Sequence, residues 1–136
     1  VPVSIALWPV FEDQYEHGLV DEGAVLLDVS DELDAIAASV GRTPLTGFDA
    51  YVGVPEEVVA ERAMAAEGMP DLSDFPAAWH ASAEAVATLD ALVSGVDSSS
   101  WEGEYDRAVV LECLEAFRRV LRDAAERGTR FHLTVA

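Results

Sequence analysis

The chain has 136 residues, 51% of them hydrophobic and 25% charged, a length suited to one domain with one core and a composition outside the apolar-poor class of disordered chains. Its 26 acidic side chains against 8 basic ones leave a formal net charge of -18, a field that repels nucleic-acid phosphates and anionic membrane surfaces and favours encounter with cationic proteins. Every basic side chain is an arginine, and a lysine-free, Ala- and Val-rich chain fits a high-GC bacterial genome or a salt-adapted proteome, which gives the acidity a second explanation beside the functional one.

The chain opens Val1-Pro2-Val3, without a basic segment leading into a long apolar run, and nowhere holds an uncharged apolar stretch of about 18 residues; neither a secretion signal nor a membrane span is expected. Val3, Ile5 and Leu7 alternate on one face, predicting a strand over 3–8 that Pro9 ends or confines to a sheet edge. The polar segment Glu12 to Gly18 has no apolar face and predicts a loop. It also holds the densest group of potential metal ligands, Glu12, Asp13, Glu16 and His17, with Asp13 and His17 one helical turn apart were the segment helical. A chain with 26 acidic residues produces such groups by chance, so a solvated loop is the simpler reading and no metal site is expected.

From Ala24 to Val40, the residues Val25, Leu26, Val29, Leu33, Ile36, Ala37 and Val40 recur at helical spacing, and Gly41 and Pro44 supply a stop. One continuous helix follows, although Ser30 leaves open a strand at 24–28 with a helix from 31. Residues 43–48 are turn-rich, and 49–54 read as a short extended segment with Tyr51 on the core. Pro55, Glu56 and Glu57 suit the first turn of a helix over 55–67 that Gly68 caps, and a connector follows over 69–76.

Ser82 is placed to cap a third helix over 82–94, with Val86, Leu89, Leu92 and Val93 as its stripe and Gly95 as its end. His80 stands one turn from Glu84, a pairing that can orient an imidazole for proton transfer. No nucleophile, G-x-S-x-G elbow, H-E-x-x-H pair or phosphate-cradling glycine loop accompanies it. The carboxylate pairs Glu56 and Glu57, Asp71 and Asp74, and Glu102 and Glu104 fit helix-dipole and turn chemistry more simply than glycosidic acid and base roles. No catalytic residue and no cofactor are expected.

The polar loop 97–104 leads into Trp101-Glu102-Gly103-Glu104-Tyr105, which sets aromatic rings among carboxylates as protein interfaces do. Trp8, Trp79 and Trp101 each lie near an element end, where an indole packs its body and keeps its N–H bonded. The strongest periodicity follows: Val110, Leu114, Phe117, Leu121 and Ala124 mark a fourth helix that Gly128 closes. Cys113 flanks that stripe as an inert core thiol; being alone, it excludes an intramolecular disulfide and a cysteine zinc cluster and fits a reducing cytoplasm. A final strand over 130–135 sets His132 on the face opposite Phe131 and Leu133.

Together these elements predict an α+β fold: one globular domain over 1–136 with about four helices packed on a small sheet that includes the N- and C-terminal strands. The expected function is a non-enzymatic binding protein, alike in size and charge to bacterial immunity or inhibitor proteins. Its residues Trp101, Glu102, Glu104 and Tyr105 would meet a basic protein partner, with no role for nucleic acid or membrane. A small enzyme or small-ligand or metal-binding protein, and a housekeeping protein of an acid-rich proteome, stay open as alternatives.

Overall fold

The computed structural model describes residues 6–67, 72, 74–98 and 101–135. Strand β1 (Leu7–Phe11) pairs antiparallel with β3 (Arg130–Val135), and β3 pairs with the two-residue β2 (His80–Ala81), giving the order β1-β3-β2. The described strand overlaps the 3–8 expected at Leu7 and Trp8 and continues past Pro9 to Phe11; residues 3–5 of that span lie outside the described residues. Pro9 sits in the middle of β1 opposite Leu133 without disrupting the ladder, because β1 is an edge strand and the backbone of Pro9 faces away from β3. Its carbonyl accepts a 2.6 Å hydrogen bond from His17 Nε2, and the Phe11 carbonyl accepts from the Gln14 N–H at 2.9 Å. The chain thus covers its own exposed edge, a device that blocks pairing with another strand.

The helix expected over 24–40 begins earlier and is divided, into α1 (Val20–Asp28) and α2 (Ser30–Ser39). Val29 leaves helical geometry at φ -108° and ψ 18° yet stays fully buried, so the apolar spacing runs through the break unchanged. The break lets α1 pack on β1 while α2 turns to pack on α4. Gly23 permits the first contact, since a Cβ there would stand 2.2 Å from the Leu7 carbonyl oxygen. A strand at 24–28 does not form.

A short 3-10 turn (Leu45–Phe48) buries Leu45 and Phe48. The extended segment expected at 49–54 reduces to a single bridge from Asp49 to Leu133, after which the chain turns. Ala50, with 2% exposure, occupies the core position expected of Tyr51, because the Tyr51 N–H bonds Asp49 Oδ1 at 2.9 Å and closes a local turn. Helix α3 (Glu56–Ala66) buries none of its residues, and Glu67 in the left-handed region ends it; Gly68 is outside the described residues.

Helix α4 (Ser82–Ser98) continues past Gly95, which is not a terminator. A Cβ at Gly95 would meet Ile36 Cγ2 at 2.4 Å, so its smallness serves the α2–α4 approach. Ser82 donates to the Thr129 carbonyl at 2.8 Å instead of capping α4, tying the start of that helix to the entrance of β3. Helix α5 (Arg107–Arg127) buries Val110, Leu114, Phe117, Leu121 and Ala124 as its periodicity requires, and Gly128 ends it at φ 72°. The fold is α+β: among the described residues, five α-helices and a small antiparallel sheet enclose a core whose largest side chains include Phe11, Phe48, Phe117 and Phe131. Among the described residues no helix is long and apolar enough to cross a membrane.

Candidate functional site

The segment before α5 folds around its own tryptophan. Trp101 is half-buried against the core, its Nε1 donates to the Tyr105 carbonyl at 2.7 Å, and a Cβ on Gly103 would stand 2.2 Å from the indole ring. Tyr105 packs beside it and donates its hydroxyl to Asp28 Oδ2 at 2.7 Å, fastening the loop to the end of α1. That bond to Asp28, with burial and the nearby charges, pushes the Tyr105 hydroxyl above its ordinary range. The two aromatic residues singled out as contact anchors are therefore engaged within the fold. Their carboxylate neighbours Glu102 and Glu104 are the parts turned to solvent.

The same end of the molecule carries a trough between α1 and α5. Its floor is Val25, Val109, Cys113 and Ala116, its rims are Asp21, Glu22 and Glu112, and Arg119 stands at one margin; the open volume is about 400 Å³. Val109, Cys113 and Ala116 follow one another at steps of four and three along α5, so they form one helical stripe beside the buried one. Val109 is 38% exposed, beside the six residues that α5 buries. Burial raises the Cys113 thiol, and Glu22, Glu112 and Asp21 raise it further by disfavouring a thiolate. An inert thiol, as expected, lies in the floor.

Charge is unevenly compensated. Arg130 is bidentate on Glu12, Arg127 reaches Asp13 and Asp123, Arg118 and Arg122 reach Asp90, and Arg62 holds Asp74. Among the described residues, no arginine forms an ion pair with Asp21, Glu22, Glu102, Glu104 or Glu112. The trough thus sets an apolar floor between acidic rims, and the exposed carboxylates Glu102 and Glu104 lie on the loop that leads into its α5 wall.

The other candidates have local partners. Of the residues grouped at 12–17, Glu12 is held by Arg130 and Asp13 by Arg127, and each arginine's hydrogen bond keeps its carboxylate below the usual range. His17 uses both ring nitrogens: Nε2 donates to Pro9 and Nδ1 accepts from the Leu19 N–H at 3.3 Å. Glu16 is exposed, and among the described residues no group of three or more His, Cys, Asp or Glu side chains is arranged to hold a metal ion. His80 and Glu84 do not pair. His80 Nε2 lies 3.1 Å from the Asp49 carbonyl, and Glu84 accepts from Thr43 Oγ1 at 3.0 Å. Glu56 and Glu57 are exposed at the start of α3; Asp71 is outside the described residues.

The outer face of the sheet differs from expectation in one respect. His132 does face away from Phe131 and Leu133, but it is only 7% exposed because Trp79 lies over it at 4.4 Å between ring centroids. Trp8 covers His17 in the same manner at 4.2 Å. The Nδ1 atom of His132 is buried without a hydrogen-bond partner, and burial pushes the imidazole below its ordinary range.

Reading the sequence identified Glu102 and Glu104 but missed Asp21, Glu22 and Glu112. Asp21 and Glu22 stand in the first turn of α1, where acidic residues complement the helix dipole, and that is the signal that marks them. Compared with protein-family models, curated proteins and solved structures, the chain finds no match.

Proposed function

We propose that this is a non-enzymatic binding protein that holds a basic protein partner on the acidic surface of α1, α5 and the 101–106 loop, in the manner of a small bacterial immunity or inhibitor protein occluding a cationic target. One observation carries the reading: Asp21, Glu22 and Glu112 rim an apolar trough without forming an arginine ion pair among the described residues, and Glu102 and Glu104 stand exposed on the loop that leads into α5. Uncompensated carboxylates on a rigid support repel one another in the free protein and gain when a cation arrives. The loop is such a support, because Trp101 and Tyr105 fix it from beneath. A net charge of -18 disfavours a nucleic-acid partner.

The test is capture from the native host's extract by the wild-type protein and by a variant carrying Glu102→Gln, Glu104→Gln and Glu112→Gln. The expected result is a basic protein retained by the wild type at low salt, released at high salt, and retained poorly by the variant. Recovery of only a small metabolite, or of RNA that survives high salt, contradicts the reading and favours a small-ligand protein.

A further inference from the structure

We infer that the trough between α1 and α5 seats a basic amphipathic helix of the partner, with apolar side chains on Val25, Val109 and Ala116 and arginine or lysine side chains on Asp21, Glu22 and Glu112. This rests on the binding reading above and adds the form of the bound segment. The floor lies between two helices, so a third helix laid along it meets ridges on both sides, as in helix-in-groove recognition. Val109 to Ala116 spans seven residues of α5, about 10 Å at 1.5 Å per residue, which matches two turns of an occupant. Cys113 and Ala116 are small, and so allow close approach at the centre of the floor.

Charge selects the occupant. A second copy of this chain would bring another -18 to the same rim and be repelled. An anionic ligand would meet three rim carboxylates with Arg119 as the one cationic lining group, and a small cation would leave the apolar floor uncovered. A basic helix with one apolar stripe satisfies both rim and floor. A purely cationic, unstructured segment satisfies only the rim.

The experiment uses two synthetic peptides of about 14 residues, roughly four helical turns, with identical composition of arginine, leucine and alanine. In one the leucines fall at i, i+3 or i+4, and i+7; in the other they are scrambled so that no stripe forms. Wild-type protein is expected to bind the striped peptide about tenfold more tightly or better, a margin of one decade in affinity. The uncharged variants Val109→Gln and Ala116→Gln alter the floor and leave the rim intact, so each should reduce the striped peptide to the affinity of the scrambled one while circular dichroism and melting stay near wild type.

Equal affinity for the two peptides, lost on neutralising Asp21, Glu22 and Glu112, overturns the helix-in-trough inference and leaves the acidic-surface reading standing. Preference for the striped peptide that survives both floor variants places the contact elsewhere and also overturns the inference. Failure of the wild type to bind either peptide at low salt contradicts the acidic-surface reading itself.

Discussion

Helix α5 meets two neighbours in different ways. Toward α4 it presents Val110, Leu114, Phe117 and Leu121, each at most 1% exposed, against a helix that buries Leu89, Leu92 and Val96 completely. Toward α1 it presents Val109, Cys113 and Ala116, which line an open trough with carboxylates at its edges. The first flank is closed by packing alone. The second buries less apolar area than its side chains offer, and that deficit, set beside its rim carboxylates, is what the proposed binding role rests on.

Breaking the closed flank should have the largest effect. Phe117→Ala should cost about 3–5 kcal/mol of unfolding free energy, since a fully buried ring is removed from a core with no open side. Urea unfolding measures it, and a loss below about 1 kcal/mol would show that the α4–α5 contact is not the stability centre. Val109→Ala on the open flank should stay within about 0.5–1 kcal/mol.

That asymmetry also explains what was legible in the sequence. The stripe of α5 is strictly periodic, and periodicity alone predicts its burial against another helix. The break at Val29 was hidden because a buried valine there preserves the apolar spacing on both sides. The trough was hidden because α1 starts at Val20, ahead of the apolar run expected to begin the helix at Ala24, and Asp21, Glu22 and Gly23 add nothing to that run. Likewise Gly95 reads as a stop signal, but its role is set by Ile36 on a helix far away in sequence. Local spacing carries the stripe; close approaches between distant elements belong to the tertiary structure.

Gly23 sharpens the comparison. Alanine is ordinarily the better helix former, yet Gly23→Ala should destabilise by about 1–3 kcal/mol, because the added carbon meets a backbone carbonyl that cannot yield as a side chain can. The control is Gly18→Ala, with open space around it, which should be neutral or stabilise by about 0.4–1 kcal/mol. Equal effects at the two positions would mean that α1 does not sit tightly on β1.

A smaller effect should come from pH. His132 titrates lower in the folded protein than its ordinary 6.5, chiefly through burial. Its neutral form therefore contributes stability that is fully present above about pH 6.5 and is lost as pH falls below that value toward the depressed folded pKa. The Ala78 backbone, and less strongly Asp49, oppose the shift, and His80 adds to it. Replacing His132 with phenylalanine should flatten the stability profile just below about pH 6.5 without changing the steeper loss in more acid solution, where carboxylates such as Glu12 and Asp13 lose their arginine pairing. An unchanged slope would assign that pH range to other groups. The mildest effect should be that of salt: sodium chloride screens the repulsion of a -18 chain and should raise the melting temperature by a few degrees. A flat response would mean that the carboxylates are too far apart, or too well hydrated, to repel measurably.

The central claim, that the acidic surface captures a basic partner, is tested most directly by the association rate of the striped basic peptide as a function of sodium chloride. The wild type should associate rapidly at low ionic strength, slow steeply as the screening length falls below about 8 Å, and lose most of that salt dependence when Glu102, Glu104 and Glu112 are all changed to glutamine. Dissociation should change by no more than about twofold in that triple variant, since rim charges act mainly on encounter. An association rate that is insensitive to salt in the wild type, or identical in the variant, would contradict the account.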